Sequence, residues 1–216
     1  MAWYRADVAT GAGLDSALDG ADVVIHAASD PRDSARVDVA GTRTLLDAAA
    51  RHAVRHFVYI SIVGIDAVPL KYYQHKREAE RMVEASVIPW SIVRGTQFHD
   101  FMRMQCEAMT VLPFAVVPRG FRVQPVHVDE FASAVWLVAG GEPQSRTQDV
   151  AGPDVLTYAE ILQAWMDARG IAKRMLQVPV PGRIASAMRS GALTAPDRAV
   201  GTLTWTDWLV AGRTAP

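Results

Sequence analysis

The chain has 216 residues, half of them hydrophobic and 21% charged, which is the composition of a globular protein with a substantial core. Its formal net charge of −1 gives no electrostatic reason to expect binding to nucleic acid or to an anionic membrane. The single cysteine, Cys106, excludes an internal disulfide, and there is neither an apolar run of about 18 residues nor a start typical of a signal peptide, so a cytoplasmic protein is expected.

The first elements along the chain surround a pair of glycines. The stretch "ADVATGAGLDSAL" (6–18) places Gly11 and Gly13 as the dinucleotide-binding pattern G-x-G-x-x-G requires, but Ser16 takes the third position. The segment before it is too polar for a central strand, and the helical pattern after it runs only about two turns before Gly20. The stretch therefore predicts a loop and a short helix instead of a phosphate-binding turn.

Three short apolar runs predict buried strands: "DVVIHAA" (22–28), "HFVYISIVG" (56–64) and "PWSIVRG" (89–95). They do not alternate, and they are too short for buried helices, which is typical of parallel strands covered on both faces. Between them, residues 34–53 and 72–86 have apolar residues at helical spacing. The alternation predicts an α/β fold with a doubly wound parallel sheet.

The second half of the chain is richer in proline and glycine. There, "FRVQPVHVDEF" (121–131) predicts a strand that leads into a helix capped by Asp129. Thr157 and Glu160 have the spacing of a capping box and predict the start of a further helix, which is expected to end near Gly170.

Tyr72 and Lys76 are the strongest candidates for acid–base chemistry. They stand four residues apart and therefore share one face of a helix. A tyrosine has a pKa of about 10, and a neighbouring cation lowers that pKa toward neutrality. Ser61, at the end of the second predicted strand, could hydrogen-bond the oxygen that is being protonated. The alternative is that Lys76 pairs with Glu80 on a solvated helix face, a contact that contributes only about 0–1 kcal/mol.

Six segments in order along the chain carry a family resemblance: "GADVVIHAAS" (20–29), "DVAGTRTLLDAA" (38–49), "HFVYISIVGID" (56–66), "YYQHKREAE" (72–80), "PWSIVRGTQFHDF" (89–101) and "QPVHVDEFASAV" (124–135). Together they resemble the short-chain dehydrogenase/reductase superfamily, and more narrowly its atypical, NmrA-like branch of NAD(P)H-binding proteins. The resemblance implies a Rossmann-like fold.

The resemblance also implies roles for matched residues. Lys76 would bind the nicotinamide ribose, Tyr72 would donate the proton, and Ser61 would assist it. Independently of the resemblance, His99 follows the end of a predicted strand, where α/β folds form their ligand sites, and is expected to contact the substrate. The residues expected to bind the cofactor lie at strand ends: Asp7 near the adenine, His26, Ala27, Ala28 and Ser29 along the cofactor, and Thr96, Gln97 and Phe98 beside the nicotinamide.

Aligned on these motifs, the chain begins at the family's third strand, which "WYRADV" (3–8) matches, and the family's glycine-rich turn has no counterpart. We therefore expect an N-terminally incomplete Rossmann-like core over 1–122 and a smaller C-terminal substrate lobe over 123–216. NAD(P)H binding is expected to be weak without the glycine-rich segment. The strand at 22–28 is expected to expose an apolar edge and so to favour a homo-oligomer.

Two functions remain open from the sequence. The first is an NAD(P)H-dependent oxidoreductase that reduces a small carbonyl, quinone or similar electrophile and is impaired by truncation. The second is a non-catalytic module that senses a dinucleotide or binds a protein. A small-molecule substrate is the only partner that the first hypothesis needs.

No metal site is predicted. His52 and His56 have the spacing of a helical metal pair, but no glutamate follows His52 and no third ligand is evident. Both histidines are therefore expected at the surface.

Overall fold

The structure is a computed structural model that describes the backbone of residues 2–214 and the side chains of residues 2–212. Contacts between residues divide the chain into two compact units, one formed by Met1–Arg94 with Ser133–Gln148 and the other by Gly95–Ala132 with Asp149–Pro216. The domain boundary expected after residue 122 stays a prediction.

The described residues form these regular elements in chain order: α1 (Leu14–Leu18), β1 (Val23–His26), a π-helical segment (Ala35–Ala40), α2 (Gly41–Arg51), β2 (His56–Ile62), α3 (Lys71–Glu84), β3 (Trp90–Gly95), α4 (His99–Met109), β4 (Ala115–Pro118), β5 (Arg122–Val123), α5 (Val128–Ala139), β6 (Thr147–Val150), β7 (Leu156–Thr157), α6 (Tyr158–Arg169), β8 (Met175–Val178), α7 (Arg183–Arg189), a 3₁₀ turn (Pro196–Arg198) and α8 (Trp205–Thr214). No helix in this part of the chain is long and apolar enough to cross a membrane.

The central sheet has four strands in the order β1-β2-β3-β6. β1 and β2 run parallel, with Val23 opposite His56 and His26 opposite Tyr59. The first three strands lie within the three apolar runs of the sequence, because continuous apolarity over so short a length suits a strand that is covered on both faces. The predicted α/β fold with a parallel sheet is confirmed.

The first unit is held together by apolar side chains from the sheet and from α2 and α3. The helix predicted over 34–53 is present, but its first part is the π-helical segment, which continues without a break into α2. The helices bury one face each because their apolar residues recur at helical spacing. The principal core residues are Leu45, Leu46, Ala48, Ala49, Phe57, Tyr59, Ala79, Val83 and Ile92.

The segment "WYRADV" (3–8) forms no strand, so that expectation is wrong. Its end is folded into a turn instead, in which the Asp7 N–H donates to the Ala12 carbonyl and the Gly11 N–H donates to the Asp7 carbonyl. Backbone groups that bond within such a turn cannot also pair with a neighbouring strand.

The stretch around the two glycines is a loop followed by α1, as predicted. Gly13 has a φ of 77°, and a Cβ atom there would lie 2.1 Å from the Arg5 carbonyl oxygen. The glycine is therefore required by the close approach of the chain's own backbone. Because α1 has only five residues, this segment is not the start of a crossover helix.

In the second unit, β4 and β8 form a parallel pair and β5 and β7 an antiparallel pair. The predicted capping box of α6 is present: the Glu160 N–H donates to Thr157 Oγ1, and the Thr157 N–H donates to the Glu160 carboxylate. The helix ends at Gly170, whose φ is 65°. The core residues of this unit include Met102, Cys106, Val117, Ile161, Leu162, Trp165, Met166 and Trp205.

Asp129 is not the N-cap of α5, which corrects that prediction. The Phe131 N–H donates to the His127 carbonyl, so the helix begins at Val128 and Asp129 lies in its first turn. A carboxylate in that turn still interacts favourably with the helix dipole.

Candidate active site

The candidate site lies in the first unit, at the carboxyl ends of the parallel strands, where α/β sheets bind their ligands. β1 ends at His26 and is followed by Ala27, Ala28 and Ser29, whose side chains are exposed. The next strand carries Ser61 near its own carboxyl end.

A hydrogen-bonded chain joins Tyr72 to a buried carboxylate. The Ser29 hydroxyl donates to Asp38 Oδ1 at 2.6 Å, and the Tyr72 hydroxyl lies 2.8 Å from Ser29 Oγ. Because the only hydroxyl proton of Ser29 is directed to Asp38, Tyr72 is the donor in the second bond. The Tyr72 phenol is thus held by an acceptor that is itself fixed by Asp38.

Lys76 is buried, with 3% of its surface exposed, and its ammonium is directed into the protein. Nζ donates to the Ile60 carbonyl at 2.8 Å, lies 3.7 Å from Asp38 Oδ1, and lies 4.3 Å from the centre of the Tyr59 ring. Burial lowers the pKa of Lys76 to about 8, against the opposing effect of the Asp38 and Glu80 charges.

Two expectations about this helix are wrong. Burial raises the pKa of Tyr72 above its ordinary value, and the Asp38 charge adds to this effect. The expected lowering by Lys76 is not found, because the ammonium turns toward the Ile60 carbonyl. Lys76 is also no partner of a solvated Glu80, since both side chains are buried.

Ser61 is buried, and its Oγ has no hydrogen-bond partner in the structure. An unsatisfied buried hydroxyl carries a free-energy cost that a bound polar group can remove. Of the site residues predicted in this unit, Ser61 therefore has a hydroxyl that is free to donate and to accept a hydrogen bond.

His26 is buried and forms a hydrogen bond with Thr42. The Thr42 hydroxyl donates to the Asp38 carbonyl at 2.5 Å, so Nε2 of His26 is the donor to Thr42 Oγ1 at 2.9 Å. Burial, assisted by the Lys76 charge, lowers the pKa of His26 to about 3. The imidazole is therefore neutral and ties the end of β1 to the start of α2.

Asp7 is exposed, and its carboxylate accepts a hydrogen bond from the Ala9 N–H at 2.8 Å. Of the two histidines expected at the surface, His52 is partly exposed and pairs with Asp15, but His56 is buried and bonds to Ser91 Oγ, so the expectation for His56 is wrong. Within the described residues, no three His, Cys, Asp or Glu side chains gather to hold a metal ion.

The other predicted residues belong to the second unit. Thr96 directly follows β3 and has a buried Oγ1 that finds no hydrogen-bond partner in the part of the chain that the structure describes. The amide of Gln97 is already engaged, because its Oε1 accepts from the Gln124 N–H at 3.2 Å and its Nε2 donates to the Leu193 carbonyl at 3.3 Å.

Phe98 packs edge to face on Phe131, with 5.3 Å between the ring centres. His99 is buried at the start of α4, 5.4 Å from the ring centre of Trp208 and 5.9 Å from that of His127. Burial, with the neighbouring His127, lowers the pKa of His99 to about 4, which makes it a neutral aromatic neighbour.

Sequence reasoning missed Asp38, the residue on which the Tyr72 contacts depend. Its signal was a charged residue seven positions before Leu45, a spacing that places both on the same helix face as the core. A carboxylate on a buried face needs polar partners, which the structure supplies as Ser29 and Lys76.

A family model described as NAD(P)H-binding matches residues 2–111. Among curated proteins, the (4-alkanoyl-5-oxo-2,5-dihydrofuran-3-yl)methyl phosphate reductase of Streptomyces griseus is 30% identical in an alignment of 155 residues that covers 69% of this chain. The match covers 52% of that reductase, so the chain spans about half of its length.

Solved structures share the fold across nearly the whole chain. An NADPH-dependent quinone oxidoreductase of Escherichia coli, complexed with NADPH, superposes with a TM-score of 0.80 at 17% identity, over 97% of this chain and 83% of that one. A short-chain dehydrogenase/reductase superfamily protein of Agrobacterium tumefaciens, with bound NAD, gives a TM-score of 0.71 at 18% identity, over 96% and 83%. These likenesses establish a Rossmann-like fold.

Proposed function

The chain belongs to the NAD(P)H-binding family, and from this premise we propose that it is an NAD(P)H-dependent oxidoreductase that reduces a small carbonyl, quinone or similar electrophile. The observation that carries the proposal is the hydroxyl of Tyr72, which keeps its own proton and is held at the carboxyl edge of the sheet by Ser29. A proton donor fixed in this place is what reduction of a carbonyl needs.

The residues of the first unit fit a nicotinamide cofactor. Ser61 offers a buried hydroxyl with no partner among the described residues, and Ala27 and Ala28 leave an exposed surface without large side chains after β1. Lys76 is a buried cation whose ammonium would have to turn from the Ile60 carbonyl to reach a ribose. When bound, the reduced nicotinamide supplies the hydride. Lys76 would hold the nicotinamide ribose and Ser61 would bind the oxygen of the substrate, while Asp7 and Ser29 would contact the cofactor.

When the electrophile binds, the Tyr72 O–H would turn from Ser29 Oγ toward the oxygen of the electrophile and give its proton to that oxygen as it gains negative charge. The raised pKa of Tyr72 favours the neutral phenol, so the proton is present at neutral pH and leaves only toward a stronger base. An alkoxide that forms during reduction is such a base. The residue thus acts as a general acid without any need for a phenolate in the resting protein.

For the second unit, we assign Thr96, Gln97 and Phe98 to cofactor contacts and His99 to the substrate. Thr96 has the free hydroxyl that such a contact uses, whereas the amide of Gln97 is already engaged, so Thr96 is the stronger candidate of the two. A neutral His99 among aromatic rings is suited to an uncharged, flat substrate.

The names of the similar proteins support a carbonyl-bearing electrophile. The relative from Streptomyces griseus is a reductase of an oxo-dihydrofuran phosphate, and the Escherichia coli protein is a quinone oxidoreductase. Quinones and simple aldehydes and ketones are therefore the compounds to test first.

The test follows the loss of reduced-nicotinamide absorbance with NADPH or NADH and a panel of quinones and carbonyl compounds. We expect turnover by the wild-type protein and a fall in kcat of about 100-fold or more for the carbonyl substrates in Tyr72→Phe, because the phenol proton is lost. Tyr73→Phe is the matched control, since Tyr73 lies beside it on α3 and is not part of the hydrogen-bonded chain.

Equal kcat values for Tyr72→Phe and wild type would contradict the assigned role. Binding of NADPH, measured by calorimetry, without oxidation of the cofactor by any member of the panel would favour the sensing or protein-binding module instead.

A further inference from the structure

Asp38 is a carboxylate with no exposed surface, and the proposed reaction does not use it directly. Its Oδ1 accepts from the Ser29 hydroxyl at 2.6 Å, its Oδ2 accepts from the Asp30 N–H at 3.2 Å, and its Oδ1 lies 3.7 Å from Lys76 Nζ. One oxygen atom therefore serves both the residue that holds Tyr72 and the buried ammonium.

A buried carboxylate is costly unless its partners stabilise the charge. Two of the three contacts of Asp38 come from neutral donors that reach different oxygens, and an amide, which has one oxygen, would satisfy only one of them. The contact with Lys76 adds a second requirement, because only a negative charge favours the protonated lysine. Both the pair of donors and Lys76 therefore favour an acid at this position.

Asp38 also lies in the π-helical segment Ala35–Ala40, which interrupts regular α-helix geometry. Such interruptions carry a cost in backbone hydrogen bonding and are frequent at functional sites. The segment brings the carboxylate to Ser29, which follows β1, and to Lys76 on α3.

We propose that Asp38 and Ser29 are positioning residues for proton donation: Asp38 keeps Lys76 protonated and fixes the Ser29 hydroxyl as an acceptor that aligns the phenol of Tyr72. This inference rests on the proposed function for the roles of Tyr72 and Lys76. Neither Asp38 nor Ser29 needs to exchange a proton with the substrate.

Glu80, His26 and Tyr59 also face Lys76. Glu80, one turn further along α3, raises the pKa of Lys76 as Asp38 does, but its carboxylate is bonded to Arg94 and Arg77. His26 on β1 is neutral, and Tyr59 on β2 presents its ring face. Asp38 contacts the ammonium and, unlike Glu80, has no arginine partner in the described contacts.

The first test reads the charge of Lys76 without any turnover. The chain has only three lysines, at positions 71, 76 and 173, so NMR titration of protein labelled at the lysine side chains gives three resolvable signals, and Lys76→Met assigns one of them. In Asp38→Asn we expect the pKa of Lys76, about 8 in the wild type, to fall by about 1 to 3 units, because the ammonium loses its stabilising charge.

Asp33→Asn is the matched control, because Asp33 is partly exposed just before the same helical region and pairs with Arg36. It should leave the Lys76 titration unchanged. A Lys76 pKa that is the same in Asp38→Asn and wild type would overturn the proposal, whether or not the protein reduces anything.

The second test uses the active protein with NADPH and a quinone or carbonyl substrate. The alkaline limb of the kcat profile should move to lower pH in Asp38→Asn. With saturating NADPH, Ser29→Ala should lower kcat about 10-fold or more with little change in the KM of the electrophile, while Ser29→Thr restores kcat. If Asp38→Asn does not fold, the Ser29 pair decides: kcat unchanged in Ser29→Ala would overturn the proposal. Absence of turnover in the wild type would contradict the proposed function and leave the NMR result to stand alone.

Discussion

Glu80 is a carboxylate without exposed surface whose oxygens accept hydrogen bonds from two arginines. Arg94 contacts both oxygens, at 2.8 and 2.6 Å, and Arg77 contacts one at 3.2 Å. Both arginines also bond to Asp66, which is more exposed. The bidentate contact joins α3 to β3, so this carboxylate contributes to the rigidity of the helix that carries Tyr72 and Lys76.

Replacement of Glu80 by alanine is expected to lower the free energy of unfolding by about 3 kcal/mol, because it leaves the guanidinium of Arg94 without its buried partner. Urea unfolding followed by circular dichroism measures the change. Glu84→Ala is the control, since Glu84 is partly exposed and pairs only with Arg77, and it should cost about 1 kcal/mol or less. Equal losses in the two variants would contradict the assignment.

At the scale of single residues, sequence spacing predicted that Tyr72 and Lys76 share a helix face, but it did not predict what each side chain would contact. The contact between Asp38 and Ser29 joins residues nine positions apart across a loop, and no periodicity encodes it. The rise in the pKa of Tyr72 depends on burial, which the order of residues along one helix does not determine.

At the scale of elements, the strands of the sheet were predictable because each is a short apolar run bounded by polar residues. The failure at 3–8 has a physical reason: strand pairing depends on a neighbour, and the N–H and carbonyl of Asp7 near the end of this segment are bonded within a turn. The capping box of α6 was predictable because its partners are local, three residues apart in the chain.

Thr157→Ala is expected to lower the free energy of unfolding by about 1 kcal/mol, since it removes the acceptor of the Glu160 N–H. Thermal or chemical unfolding gives the value. Gln163→Ala on the exposed side of the same helix loses only a contact with Asp167, worth a few tenths of a kcal/mol. A loss in Thr157→Ala no larger than in this control would contradict the role of the cap.

For the whole molecule, self-association is expected through β1, the first strand in the order of the sheet. Val23 and Ile25 on this strand are exposed to 40% and 38%. Exposed apolar residues on a terminal strand favour pairing between chains. Self-association therefore stays a prediction, and Val23 and Ile25 on β1 mark the surface through which it is expected.

Sedimentation equilibrium over a range of protein concentrations tests this surface. We expect concentration-dependent self-association of the wild type and a shift toward monomer in Ile25→Lys, because a lysine on an edge strand opposes pairing. Val87→Lys is the control, since Val87 is 90% exposed in the turn between α3 and β3. A wild type that is monomeric at all concentrations would exclude the idea.

The π-helical segment before α2 has a consequence for how this site could change by insertion or deletion. Removal of Val39 or Ala40, which lie between Asp38 and α2, would convert the wide turn into an ordinary one, and Asp38 with the residues before it would rotate by about 100° relative to α2. The apolar face of α2 would keep its packing, while the Asp38 carboxylate would move away from Ser29 and Lys76. Deletion of one residue would thus leave a sheet that still folds but in which Lys76 has lost its counter-ion.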